Sequence, residues 1–289
     1  MKTLRQYIKE AGEKGIAIGH FNIANLEMLH GIVNAARKLD LPVVIGAAEG
    51  ERKFMGTKEI AALVKTMREE YGHPLFLNAD HTYSFELVKE CIDAGYDSVI
   101  FDGSKLPFDE NVKITKRCVD YARKVNPEII VEGELGFIGS GSTVWKEIPA
   151  GVKITEEFLT KPEEAVDFIK KTGVDMLAPA VGNIHGMLAG GKDPALNIPR
   201  VAAIKKTANI PLVLHGASGN SKEDIQAAIK AGMNEVHVST EIRVAFRKAL
   251  EDEMKAKPDE VAPYKYMDGD IAAVEAVVTE KLKIFNFLP

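Results

Sequence analysis

The residues most able to do chemistry are the seven histidines: His20, His30, His73, His81, His185, His215 and His237. Five of them stand at or just after the end of a short aliphatic run. Three of these, His81 after Leu75–Ala79, His185 after Met176–Ala180 and His215 closing Pro211–His215, sit at equivalent positions in their units. A lone histidine in such a place usually packs in a core or at a surface. Three on one rim are a different matter: neutral imidazole is a preferred nitrogen ligand for zinc, and three protein ligands with one open position is the pattern of a catalytic ion. His30, inside a helical pattern, and His73, before Pro74, read as surface or hydrogen-bonded side chains.

The elements that must carry these groups follow from periodicity. Eight apolar runs recur: Ile16–Asn22, Pro42–Ala47, Leu75–Ala79, Ser98–Phe101, Ile129–Glu134, Met176–Ala180, Pro211–His215 and Glu235–Val238. Segments of helical period separate them, with Leu26, Leu29, Val33 and Ala36 on one face, and Leu87, Val88, Cys91 and Ile92 on another. Ser221 followed by acids opens a helix that closes near Gly232, and Lys161-Pro162-Glu163-Glu164 opens one that ends at Gly173. Strands apolar on both faces and alternating with helices mean a parallel sheet covered by helices. Eight such units without a Gly-x-Gly-x-x-Gly turn after the first predict one TIM (β/α)8 barrel over residues 1–289, with a helix before it and another, Ile271–Phe285, after it. Barrel enzymes place their chemistry at the C-terminal ends of the strands, where the five histidines fall.

Composition narrows the partners. The apolar fraction is 46%, the charged fraction 27% and the net charge −5 with no long basic run, which argues against nucleic acid. No apolar stretch is long enough for a membrane span, and the charged N-terminus lacks the apolar core of a signal peptide. Cys91 and Cys118, each in a helical pattern, read as free buried thiols in a reducing cytoplasm.

The residues around the histidines carry a more specific signal. Asn78-Ala79-Asp80-His81, Ala180-Val181-Gly182-Asn183-Ile184-His185-Gly186 and Leu214-His215-Gly216-Ala217-Ser218-Gly219 closely resemble the three metal-bearing motifs of the class II fructose/tagatose-bisphosphate aldolases. Gly19-His20-Phe21-Asn22, Phe101-Asp102-Gly103-Ser104, Val131-Glu132-Gly133-Glu134-Leu135-Gly136 and Lys265-Tyr266-Met267 are similar to further segments of that family, so the resemblance spans essentially the whole chain. It implies a lyase with one catalytic Zn²⁺ per subunit, with a monovalent cation as an optional second cofactor. It implies cleavage or formation of a ketose (bis)phosphate, with fructose 1,6-bisphosphate the default, giving dihydroxyacetone phosphate and an aldehyde. His81, His185 and His215 would be the ligands, Asp80 the acid/base, and Glu134, supported by Asp102, a carboxylate for an alternative metal position. Asn22 and His237 would meet the sugar. Gly186, Gly216, Ser218, Ser239 and Thr240 would form the phosphate corner, between a small-residue loop and a helix N-terminus. A homodimer or homotetramer is likewise implied.

Four departures fall where that family reads its substrate. His237 stands where it carries an asparagine, and Ala48 where it carries a serine. Met187-Leu188-Ala189 replaces a segment with a lysine, and Gly139-Ser140-Gly141-Ser142-Thr143 replaces a loop that supplies a catalytic glutamate. Glu147, further along that loop, is the candidate replacement. His20 and His237 lie on runs that are neighbours in a closed barrel, close enough for a proton relay or an extra pair of ligands. The alternatives are an aldolase for another ketose phosphate, a zinc hydrolase on the same barrel (which usually wants a His-x-His pair that Gly19-His20-Phe21-Asn22 lacks), and a non-catalytic sugar-phosphate-binding or structural partner subunit.

Overall fold

The structure is a computed structural model and describes residues 2–139, 141–148, 152–190 and 193–289. Each of the eight runs forms a parallel strand within a few residues of its expected bounds: β1 (Ile18–Asn22), β2 (Val43–Ala48), β3 (Leu75–Thr82), β4 (Ser98–Phe101) and β5 (Ile130–Leu135). Two residues, Val144–Trp145, make β6, which pairs with an equally short β8 (Met187–Leu188) above the rim. The barrel continues with β7 (Met176–Pro179), β9 (Leu212–Leu214) and β10 (Met233–Val238). It closes in the order β1-β10-β9-β7-β5-β4-β3-β2. This is the expected TIM barrel.

The helices dress the outside. They are α1 (Leu4–Lys14), α2 (Leu26–Leu39), α3 (Glu49–Met55), α4 (Thr57–Tyr71), α5 (Phe85–Asp93), α6 (Phe108–Val125), α7 (Pro162–Thr172), α8 (Ile198–Ala208), α9 (Lys222–Ala231), α10 (Thr240–Ala256), α11 (Pro263–Tyr266) and α12 (Asp268–Phe285). Their starts follow the expected chemistry: Ser221 caps α9 by accepting from Asp224 N, and Pro162 opens α7. Leu26 differs from expectation. As the first residue of α2 it is 40% exposed, while Leu29, Val33 and Ala36 are buried. Cys91 and Cys118 are free and buried.

One end of the barrel is shut. The α1 residues Leu4, Ile8 and Ala11 pack on Ile18, Val44, Phe76, Ile130, Met176 and Val213, the lowest inward side chains of the strands. A capping box between Thr3 and Gln6 starts this plug and Gly15 ends it. The middle of the barrel is polar instead of aliphatic: His20, Asn78, Ser98, Glu132 and Glu235 are all at most 3% exposed. Such groups are costly to bury without partners. Most have them: Asn78 accepts from or shares a proton with His20 at 3.3 Å and donates to Ser98 Oγ at 2.7 Å. The open C-terminal end lies above this layer.

Candidate active site

His81 reaches the rim through a distortion. Adjacent strand residues point to opposite faces, so a regular β3 would turn Asp80 inward and His81 outward. The β3–β4 register instead shifts between Ala79 and Thr82, and His81 adopts φ 37°, a left-handed conformation rare outside glycine. Both side chains therefore face the mouth. Arg52 of α3, 4% exposed, holds the distortion: its guanidinium donates to the carbonyls of Ala47 and Asp80 and, at 2.8 Å, to Thr82 Oγ1. Strain of this kind at a rim carboxylate–histidine pair points to function.

The other two histidines arrive by different routes. His215 follows β9 directly and is buried. His185 sits in the loop after β7, which Asn183 fixes by donating to His215 O at 2.9 Å and accepting from Val181 N. Gly186 next to it has φ 91°, and a Cβ there would lie 2.4 Å from Thr143 O and from Trp145 Nε1. Only glycine lets this turn pass beneath the β6 segment.

The three imidazoles converge. His81, His185 and His215 each offer a nitrogen within 4.8 Å of the others, with ring centroids 4.5 to 5.9 Å apart. His81 Nε2 and His215 Nδ1 are 3.2 Å apart. Two nitrogens about 2.0–2.1 Å from one tetrahedral ion would stand roughly 3.3 Å apart, so the donor set suits zinc. The outward nitrogens carry carboxylates: His81 Nδ1 meets Asp102 at 3.1 Å, and His215 Nε2 meets Glu132 at 2.8 Å. That is the usual support of metal-binding histidines. Asp80 lies beside them, with Oδ1 buried, unpartnered and 3.7 Å from His81 Nε2. Glu134 Oε2, also unpartnered, is 3.4 Å from His81 Nδ1. It thus stands behind His81, in a group with Asp102, on the side away from His215.

The charges are set by burial and by neighbours. Burial drives His185 down to about 3 and His215 well below its ordinary value, aided by nearby His81 and, for His215, His237. Both keep free lone pairs. Burial also opposes a charge on His81, but Asp80, Asp102 and Glu134 push it up to about 10. Asp80 is held well below the carboxylate range: burial works against its charge, and His81 and His237 outweigh it. Glu134 is raised by burial and by Asp102, and Glu132 by burial to about 8.

A cleft of about 510 Å³ opens over this centre. Every residue expected at the sugar and phosphate lines it: Asn22, Gly186, Gly216, Ser218, His237, Ser239 and Thr240. Ser239 precedes the first turn of the seventeen-residue α10, and Ser142 of the loop after β5 hydrogen-bonds to it at 3.1 Å. Asn22 has a second task. Its amide donates to Glu51 at 2.9 Å and to Asp80 Oδ2 at 2.8 Å, so it orients the carboxylate.

Glu147 stands apart from the cleft. It is exposed and contributes nothing to the cleft, because β6 pairs with β8 and Trp145 Nε1 donates to His185 O at 3.0 Å. This pinning turns Gly141 and Ser142 toward the site and leaves Glu147 outside it. Ser140, at the centre of that loop, lies outside the described residues. His73, as expected, is a satisfied side chain whose Nε2 meets Leu41 O at 2.9 Å.

Sequence reasoning missed Glu51 and Arg243. Glu51 on α3 is 6% exposed, accepts from Ala48 N and Asn22, and pairs with Arg243 of α10; both line the cleft. Burial raises Glu51, with Arg243 opposing. It also missed the supporting Glu132 and Glu235, although each sits two residues from a rim group on its own strand, Glu134 and His237, and so shares its face.

Comparison with known proteins fits this geometry. The profile of the family described as fructose-bisphosphate aldolase class-II matches residues 2–287. The chain belongs to that family. Among similar solved structures is the YdjI aldolase from Escherichia coli K12, at 30% identity and TM-score 0.82, covering 98% of this chain and 96% of that one. A putative fructose-1,6-bisphosphate aldolase from Coccidioides immitis is 26% identical, with TM-score 0.81 and the same coverages. Fructose-bisphosphate aldolase from Campylobacter jejuni, at 18% identity and TM-score 0.81 over 99% of this chain and 94% of that one, shares the fold. The class II aldolases are lyases. No helix among the described residues is long and apolar enough to cross a membrane.

Proposed function

We propose that this class II aldolase is zinc-dependent and cleaves or forms a ketose phosphate, with dihydroxyacetone phosphate as the shared product and donor. The observation that carries the reading is the convergence of His81, His185 and His215 beside the unpartnered Oδ1 of Asp80. These imidazoles would hold the ion. Bound there, zinc acts as a Lewis acid toward the ketose carbonyl and favours charge on the neighbouring oxygens.

The remaining work belongs to the chain. Asp80, kept ionised at neutral pH and oriented by Asn22, takes the proton from the hydroxyl at the bond being broken and returns it in condensation. The phosphate sits where Gly216, Ser218, Ser239 and Thr240 line the cleft, against the N-terminus of α10. Buried free thiols accord with a cytoplasmic enzyme, and a homodimer or homotetramer is its expected assembly.

Fructose 1,6-bisphosphate is the default substrate, but one observation favours a different ketose phosphate. His237 lines the cleft and is fixed from below by Glu235 at 2.9 Å, so an imidazole, not an amide, faces the sugar. Cleavage of a panel of phosphorylated ketoses, with and without a chelator, tests both readings by the dihydroxyacetone phosphate released. Chelator-sensitive release from any member supports the aldolase, and the best member names the sugar. Binding of dihydroxyacetone phosphate without proton exchange on it would instead mark a non-catalytic subunit.

A further inference from the structure

His20 is a barrel-interior histidine that the proposed chemistry leaves unused. It is fully buried, does not line the cleft, and has an unpartnered Nδ1. Its place follows from strand register. His20 of β1 lies opposite His237 of β10, and the pairing of Val236 with Leu214 puts His237 level with the start of the loop carrying His215. Three neighbouring strands therefore present three imidazoles inward at nearly one height.

The rings form a stack. His20 and His237 are parallel within 4°, with centroids 3.5 Å apart, and His237 and His215 follow at 21° and 4.2 Å. Stacked face to face, the flat side chains pack closely in the closed interior. The outer face of His20 rests on β2 at Gly46. A Cβ on Gly46 would lie 2.1 Å from His20 Cε1 and 2.6 Å from Nε2, so the absent side chain makes the slot that the ring fills. Hydrogen bonds fix each ring in its own plane: His20 to Asn78, His237 to Glu235, and His215 to Glu132.

The stack argues against His20 and His237 binding one ion together, although with Glu235 they offer nitrogens within 4.8 Å. Imidazole lone pairs lie in the ring plane. Two rings parallel within 4° direct theirs along parallel lines that do not meet at a common point 2.0–2.1 Å from each nitrogen. A positioning role remains. We propose that His20, seated in the slot at Gly46, is the base of a three-ring stack that fixes the plane of His237 and, through it, of the metal ligand His215.

This rests on the zinc reading, and the experiment separates the two. Zinc affinity is measured by competition with a chromophoric chelator for the wild type, His20→Leu, Gly46→Ala and His215→Ala. The absorption of the cobalt-substituted proteins reports ligand geometry. His20→Leu keeps apolar volume but removes the flat face, and Gly46→Ala leaves the ring intact but closes its slot. Thermal melting of the metal-free proteins confirms that each folds. Both variants should weaken zinc by about ten- to a hundredfold, the range for groups that orient ligands, and shift the cobalt bands. His215→Ala should abolish tight binding. A folded His20→Leu or Gly46→Ala protein within twofold of wild-type affinity, with an unchanged cobalt spectrum, overturns the stack. A wild type that binds no zinc overturns the metal reading itself.

Discussion

Zinc binding to the metal-free protein should expel a proton, and the structure says from where. His81 Nε2 faces His215 Nδ1 at 3.2 Å, while His81 Nδ1 faces Asp102. With His81 pushed up to about 10 and His215 well below its ordinary value, the metal-free protein carries a proton on His81 Nε2, where a ligand needs a lone pair. Metal ligands must be deprotonated, so each ion displaces that proton. At pH 7.5 the displacement spans about 2.5 pH units, which at ~1.4 kcal/mol per unit weakens zinc binding by roughly 3–4 kcal/mol, about 300-fold. The sign is definite: affinity rises about tenfold per pH unit from pH 6.5 and levels off as pH passes about 10. Calorimetric titration of chelator-stripped protein, in buffers of differing ionisation enthalpy, counts the protons directly. At least one should be released per ion between pH 6.5 and 8.5. Burial opposes a charge on His237, but Asp80 and Glu235 hold it at about 9; it and the raised carboxyls of Glu132 and Glu134 are further sources, and His237→Asn should still release the proton of His81. A count near zero, or an affinity flat across this range, would refute the charge assignment at His81.

Three other outcomes follow from the site. Asp80→Asn should lower turnover by roughly 10²–10⁴-fold while the protein still binds zinc, checked by metal analysis beside steady-state kinetics. Glu147→Ala should leave turnover within twofold of wild type, since the side chain is exposed and outside the cleft; a large loss would return the loop glutamate to the chemistry. Arg52→Leu should destabilise the fold by roughly 2–3 kcal/mol in urea unfolding, because two strand carbonyls and Thr82 lose their donor. Its zinc affinity should fall as the turn at His81 relaxes.

Much of this arrangement is legible in the sequence. The strand runs emerged because strands buried on both faces are apolar and short, and the caps at Ser221 and Pro162 are local chemistry. The candidate ligands are legible because a histidine at a strand end stands out against an aliphatic run. Less legible was anything that depends on a backbone departing from its period. The third run was expected to end at Ala79, whereas β3 continues through the distortion to Thr82. Glu51 and Arg243 were hidden for another reason: they belong to two helices far apart in the chain, and their contact exists only after the barrel closes. Glu147 lies outside the cleft because proximity in sequence says little about a loop whose path is set by Trp145 and by β8.

One device recurs three times in the barrel mouth. His81 with Asp102, His215 with Glu132 and His237 with Glu235 each pair an imidazole nitrogen with a carboxylate at 2.8 to 3.1 Å. For the first two, the pairing directs the other nitrogen toward the proposed ion. His237 carries the same support but is stacked against His215, so its free Nδ1 faces Asp80 Oδ1 at 3.7 Å, too long for a hydrogen bond. An asparagine at this position would bring an amide and no ring. With histidine, the strand adds a rigid surface behind His215, a cationic neighbour for Asp80 and a wall to the cleft, all through one side chain. If the site holds zinc as proposed, substrate preference and the metal's surroundings are coupled through this one residue. Replacing His237 by the family's asparagine should move both together, not substrate preference alone.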